Sequence, residues 1–248
     1  MKQTCYGYKV KGHSPFIIIA PHAAGDDRKT ARIARLLAEK LHGFCVINNR
    51  YKKPSNSKAH LFPKRIEDFN KLYWNSKLKS YRWKMKKPQM RKFYRDIEKF
   101  SNKARKFSKN EKVMCVYIHG MNSDSVGIDI GAGVKYKKED YDYIDSSKTK
   151  ESKTSSGVPT LSPIQIYTLQ KELEKKLQKF FPFTVSIGKI FSGWSRQSAI
   201  QFHKHEGRDD YAVQFEINHI LRNNEINRRQ TIKILEETLR KLYKDNIQ

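Results

Sequence analysis

Apolar residues in this chain gather in short dense runs divided by charged stretches. Phe16-Ile17-Ile18-Ile19-Ala20, Phe44-Cys45-Val46-Ile47 and Val113-Met114-Cys115-Val116-Tyr117-Ile118 do not alternate between apolar and polar positions. Such runs predict strands buried on both faces, the pattern of parallel sheets. Shorter runs predict strands at 128–131, 183–187, 199–202 and 211–217. Between the first two strands, Ala31, Ala34, Leu37 or Ala38, and Leu41 recur at helical spacing, so 28–42 reads as a helix and 16–47 as a βαβ unit. Phe93, Ile97, Phe100, Ala104 and Phe107 form a second helical stripe, which Pro88 separates from an earlier helix expected over 66–81. Ser162-Pro163-Ile164-Gln165 carries the signature of a capped helix start, with an inward face of Ile166, Leu169, Leu173 and Leu177. A last helix is expected over 224–243, with Ile232, Leu235, Leu239 and Leu242 inward.

These elements predict one α/β domain over 1–248, a mainly parallel mixed sheet flanked by helices. The segment 135–157 is charged, then rich in Ser, Thr and Lys, and is expected to be an exposed loop. The chain has 248 residues, and 51 lysines and arginines against 25 aspartates and glutamates leave a formal net charge of +26. That surface favours anionic partners without choosing a chemistry. The run closed by Pro21 is too short for a signal-peptide core or a membrane span. Cys5, Cys45 and Cys115 make neither a disulfide framework nor a cysteine-rich zinc site. Two of them sit in apolar runs, which points to a reducing, cytoplasmic setting.

Ligands of open α/β sheets bind at the carboxyl ends of strands. His22 follows the first strand, within Pro21-His22-Ala23-Ala24-Gly25-Asp26-Asp27. His119 ends the third, followed by Gly120, and Glu216 lies in an otherwise apolar late strand. His22, His119 and either Asp26 or Asp27 would make a two-histidine, one-carboxylate zinc set with one position open for water. Glu216 is the candidate general base beside it, because a glutamate in an apolar strand is costly unless it has a partner. Each has a plain structural alternative: a loop histidine, a strand-end histidine, a lysine-paired glutamate, and aspartates that cap the following helix. His203 and His205 offer a weaker metal reading, on what the pattern suggests is a turn between strands.

At these residues the sequence resembles the N-formylglutamate amidohydrolase-like group, which includes phage-type poly-γ-glutamate hydrolases and is similar in core fold to zinc carboxypeptidases. The first motif of poly-γ-glutamate hydrolases aligns with His22-Ala23-Ala24-Gly25-Asp26-Asp27 and puts the carboxylate ligand at Asp27. His119-Gly120 corresponds to the second histidine, and Gln214-Phe215-Glu216-Ile217 to the strand that carries the general base. Asn49-Arg50 and Glu67-Asp68-Phe69-Asn70 resemble the arginine and Asp-x-Asn features. The likeness runs over roughly 14–243 in short ordered pieces, with Ala23-Ala24 in place of glycines and Asp27 in place of the usual glutamate.

The resemblance implies one zinc ion and a zinc-dependent amidohydrolase or peptidase, cleaving an amide in a small acylamino acid or an acidic, glutamyl-type peptide. Arg50, then Arg91, Arg95 and Arg196, are the candidate anchors for a substrate carboxylate, and Asn70 is a candidate positioning residue. A catalytically weakened relative is an alternative outcome. The rival reading is a nucleic-acid binder, with cations and Tyr81, Trp83, Phe93 and Tyr94 of 77–95 as phosphate contacts and stacking platforms.

Overall fold

A computed structural model of the chain describes residues 1–24, 29–54, 65–72, 77, 81, 87–133, 135–136, 143–144, 157–205 and 207–246. Its strands are β1 (Lys2–Gln3), β2 (Gly7–Val10), β3 (Phe16–Ala20), β4 (Phe44–Asn48), β5 (Met114–Met121), β6 (Val126–Gly131), β7 (Lys135–Tyr136), β8 (Tyr143–Ile144), β9 (Thr184–Ile187) and β10 (Tyr211–Asn218). Its helices are α1 (Thr30–Lys40), α2 (Pro88–Ala104), α3 (Pro163–Leu177), α4 (His219–Asn223) and α5 (Glu225–Asn246). Eight strands form one mixed sheet in the order β1-β2-β4-β3-β5-β10-β6-β9. The four central strands β4, β3, β5 and β10 are parallel neighbours, while β6 runs antiparallel to β10. The fold is therefore α/β, with a largely parallel sheet flanked by helices.

Continuous apolar runs became central strands because both sheet faces are covered. Ile18, Val116 and Phe215 face one layer, with α1, α3 and α5 supplying Leu37, Leu169 and Leu235. Ile17, Ile19 and Tyr117 face the other, against Phe93, Ile97 and Phe100 of α2. Each fully buried Ile or Leu contributes roughly 1.5–3 kcal/mol relative to exposure. The expected Ser162 cap is present in full. Its hydroxyl accepts from the Gln165 N–H, and the Gln165 side chain returns the bond to the Ser162 N–H.

Four expectations are corrected. Among the described residues, 65–72 is irregular chain and not helix. Phe69 and Leu72 are buried, and Leu72 N–H donates to the Gln197 carbonyl at 2.6 Å. The segment 199–204 is a 3₁₀ turn, not a strand. The Gln201 side chain takes the place of a strand neighbour there, bonding both backbone groups of Val158 and the Gly193 carbonyl. Part of the predicted 135–157 loop is ordered, because β7 and β8 pair as an antiparallel two-stranded sheet. Phe107 ends the α2 stripe half-exposed, on a 3₁₀ turn that leaves the helical register. The α1 cap position is Lys29, with φ of 71° and no side-chain cap. Asp26 and Asp27 lie outside the described residues.

The stacking platforms of the nucleic-acid reading are also revised. Tyr81, Phe93 and Tyr94 are buried in the core beneath α2, so they offer no face to a base. Trp83 lies outside the described residues. No described helix is long and apolar enough to cross a membrane.

Candidate functional site

The carboxyl ends of β3, β5 and β10 bring three predicted residues to one place. His22 follows β3, and His119 projects from β5, the next strand. Their rings stand 5.1 Å apart, edge to face. Glu216 occupies the position of β10 paired in register with His119. All three are more than nine-tenths buried. Side chains alternate along a strand, so His119 lies on the same face as Tyr117, and Glu216 on the same face as Gln214. This is the α2 face of the sheet.

The loop that carries His22 is held by Asn48. Its Nδ2 donates to the Pro21 carbonyl at 2.7 Å and the Tyr51 carbonyl at 2.9 Å. Beyond it, Asp68 accepts from His22 Nε2 at 2.8 Å and from the Asn70 N–H at 2.9 Å. Burial alone would raise the Asp68 pKa. The hydrogen bond and charge of His22, the Asn70 N–H and His119 outweigh it and hold the carboxyl below its ordinary value. Asp68 is held in turn by its neighbours. Tyr94 of α2 donates to the Phe69 carbonyl, and the Ala199 N–H donates to the Asn70 carbonyl at 3.0 Å.

A carboxylate on one ring nitrogen of His22 fixes its orientation, the arrangement common behind metal-bound histidines. Two buried imidazoles at this separation, with carboxylates alongside, have the donor chemistry of a divalent zinc site. The third predicted ligand, Asp27, lies outside the described residues.

A cleft of about 380 Å³ meets this group through Asp68 and is lined also by Asn70, Lys71, Phe191, Trp194 and Gln214, but not by His22, His119 or Glu216 themselves. Of the predicted substrate residues, Asn70 lines it. Arg50 and Arg95 are exposed and do not line it, because Arg50 leaves β4 toward solvent and Arg95 points away from the buried stripe of α2. Among the described residues, the cation lining the cleft is Lys71. The far wall is set by Asp129 of β6, paired in register with Glu216. Its carboxylate accepts from the Ser186 hydroxyl and the N–H groups of Lys189, Ile190 and Phe191, folding that loop over the strand ends.

Two further residues at this site escaped sequence reasoning. Arg222 of α4 is buried, and its guanidinium lies across Gly120, where a Cβ would meet Cζ at 2.6 Å. Its Nε donates to the Ile217 carbonyl at 3.2 Å. Gln214, two residues before Glu216, forms the cleft floor. Neither has a sequence signal beyond its distance from Glu216. Asp68 had one, its place in the Asp-x-Asn pattern.

A second group sits at the opposite end of the same strands. Cys115, His203 and Asp210 are buried and bring one thiol, one imidazole nitrogen and one carboxylate oxygen within 4.8 Å of one another. These are metal-capable donor types. In this structure Asp210 is held by both terminal nitrogens of Arg105 and by the Ser101 hydroxyl, and His203 Nε2 meets the Tyr117 hydroxyl at 2.9 Å. Burial pushes the His203 pKa down to about 3, and nearby cations add to it. Burial also lifts the Cys115 thiol well above its usual range. A metal here would compete with the Arg105 cation. The two groups lie on one sheet face but at opposite strand ends.

No protein-family model matches the chain, and no curated protein matches it. Among solved structures, the gene product Atu2144 from Agrobacterium tumefaciens superposes with a TM-score of 0.53 at 14% identity, covering 94% of this chain and 92% of that one. An N-formylglutamate amidohydrolase from Ralstonia eutropha gives a TM-score of 0.49 at 13% identity, over 96% and 97% of the two chains. A succinylglutamate desuccinylase from Vibrio parahaemolyticus gives 0.48 at 11% identity, over 95% and 68%. The first of these shows a shared fold across nearly the whole chain.

Proposed function

We propose that this protein is a zinc-dependent amidohydrolase of the N-formylglutamate amidohydrolase-like group, cleaving an amide bond in a small acylamino acid or acidic peptide. The observation that carries this reading is the convergence of His22, His119 and Glu216 at adjacent strand ends, beside an open cleft. His22, His119 and Asp27 would hold one zinc ion. Bound there, zinc supplies Lewis-acid polarisation of the scissile carbonyl and a water of lowered pKa.

The chain's own residues do the rest. Asp68 orients His22 through its Nε2–H. Glu216 takes a proton from the attacking water and passes it to the leaving amine nitrogen. Lys71 holds a substrate carboxylate at the cleft mouth, and Asn70 positions the substrate beside it. Arg222, anchored on Gly120, keeps the His119 strand end in place from behind.

Metal analysis of purified and zinc-reconstituted protein tests this directly. One ion per chain is expected, lost in His119→Ala and retained in Cys115→Ser. An ion that survives His119→Ala and disappears with Cys115→Ser would move the centre to the other end of the strands. Absence of zinc from both preparations would end the reading.

A further inference from the structure

Gln214 is 2% exposed and forms the floor of the cleft. Its side chain lies flat over Gly131, where a Cβ would meet Cγ at 2.5 Å. Its Nε2 donates to the Phe191 carbonyl at 2.7 Å. A carbonyl only accepts, so this bond fixes which way the amide faces. The other end, Oε1, is buried and has no hydrogen-bond partner among the described residues. Asn70 Oδ1, also in the cleft lining, is in the same condition. A buried acceptor left unmet is costly, and native structures keep few of them. Two around one cavity that adjoins a candidate reaction centre point to a ligand.

The charges around the floor agree. Asp68 borders the same cleft, and Glu216 follows Gln214 on the same strand face. An acceptor oxygen repels a substrate carboxylate and attracts an N–H. The cation for a carboxylate is Lys71, which is exposed on the cleft lining. At the rim, Ile190 and Phe191 are 39% and 51% exposed and offer apolar cover to a substrate stem.

Resting on the amidohydrolase reading above, we infer that the cleft selects a substrate side chain ending in a hydrogen-bond donor, a carboxamide, seated on Gln214 Oε1 while the substrate's α-carboxylate meets Lys71. The glutamyl-type side chain expected from the sequence resemblance is thereby replaced by a glutaminyl-type one.

N-acetyl-L-glutamine and N-acetyl-L-glutamate separate the two, since they share size and α-carboxylate and differ at the side-chain end. Their dissociation constants from metal-free protein are read by NMR titration, so the outcome is independent of zinc and turnover. The glutamine compound is expected to bind about tenfold more tightly, a preference that falls to near unity in Gln214→Leu. Equal binding of the two to the wild-type chain, or a preference for glutamate, overturns the inference. So does a tenfold preference that persists in Gln214→Leu. If that variant does not fold, the wild-type pair decides alone. Failure here leaves the zinc measurement standing, and failure of the zinc measurement leaves this result readable.

Discussion

Glu216 and His119 sit side by side in register on the parallel strands β10 and β5. Opposite positions on neighbouring strands bring Cβ atoms within about 5.5 Å. On the proposed function, such a carboxylate serves the water beside the imidazole.

Glu216→Gln keeps the shape and removes the base. The expected result is a fall in kcat of roughly 10²- to 10⁴-fold on a responsive amide substrate, with zinc content unchanged. Steady-state kinetics alongside metal analysis checks it. Unaltered kcat would assign the proton transfer elsewhere.

Asp68→Asn leaves the hydrogen-bond geometry at His22 but removes its charge. Zinc affinity is expected to drop about 10- to 100-fold, measured by competition with a chromophoric chelator. The lowered Asp68 pKa carries a sign. A carboxyl held below its unfolded value stabilises the native chain above that value, and the contribution is lost as pH falls through the folded value. The variant therefore loses part of its acid-side pH dependence.

Lys71→Met removes the cation that lines the cleft among the described residues. KM for a substrate with a free carboxylate should rise about tenfold while kcat holds, since the contact is the same in ground and transition states. The same kinetics with Arg95→Met should match wild type, because Arg95 lies on the exposed side of α2.

His203 predicts a stability window. Its folded pKa of about 3 lies below the ordinary 6.5. Between those values the unfolded chain binds the extra proton. Stability is therefore complete above pH 6.5 and declines toward pH 3, by at most about 1.4 kcal/mol per pH unit from this group. Urea midpoints at pH 7, 5 and 4 should fall in step, and His203→Gln should flatten the trend. An unchanged trend in that variant would place the titration elsewhere.

Most strands and four helices, α1, α2, α3 and α5, were legible because their signals are local. Phe16–Ala20 declares itself by apolar density, α2 by its four-and-three stripe, and α3 by Ser162 and Gln165. Two of the misread segments share one cause. Residues 65–72 and 199–204 take their shape from partners distant in sequence, Phe69 from Tyr94 and Gln201 from Val158 and Gly193. No window of neighbouring residues contains those contacts.

The site divides along the same line. Motif spacing and strand context marked His22, His119 and Glu216 as candidates at strand ends, because strand ends can be read locally. Asp68 on His22, Lys71 in place of an arginine, Gln214 on the cleft floor and Arg222 across Gly120 exist as relationships only once the sheet order is set. Sequence alone thus determined which residues could do chemistry. The tertiary structure decided which of them meet, because the order β3-β5-β10 brings together residues nearly two hundred positions apart in the chain.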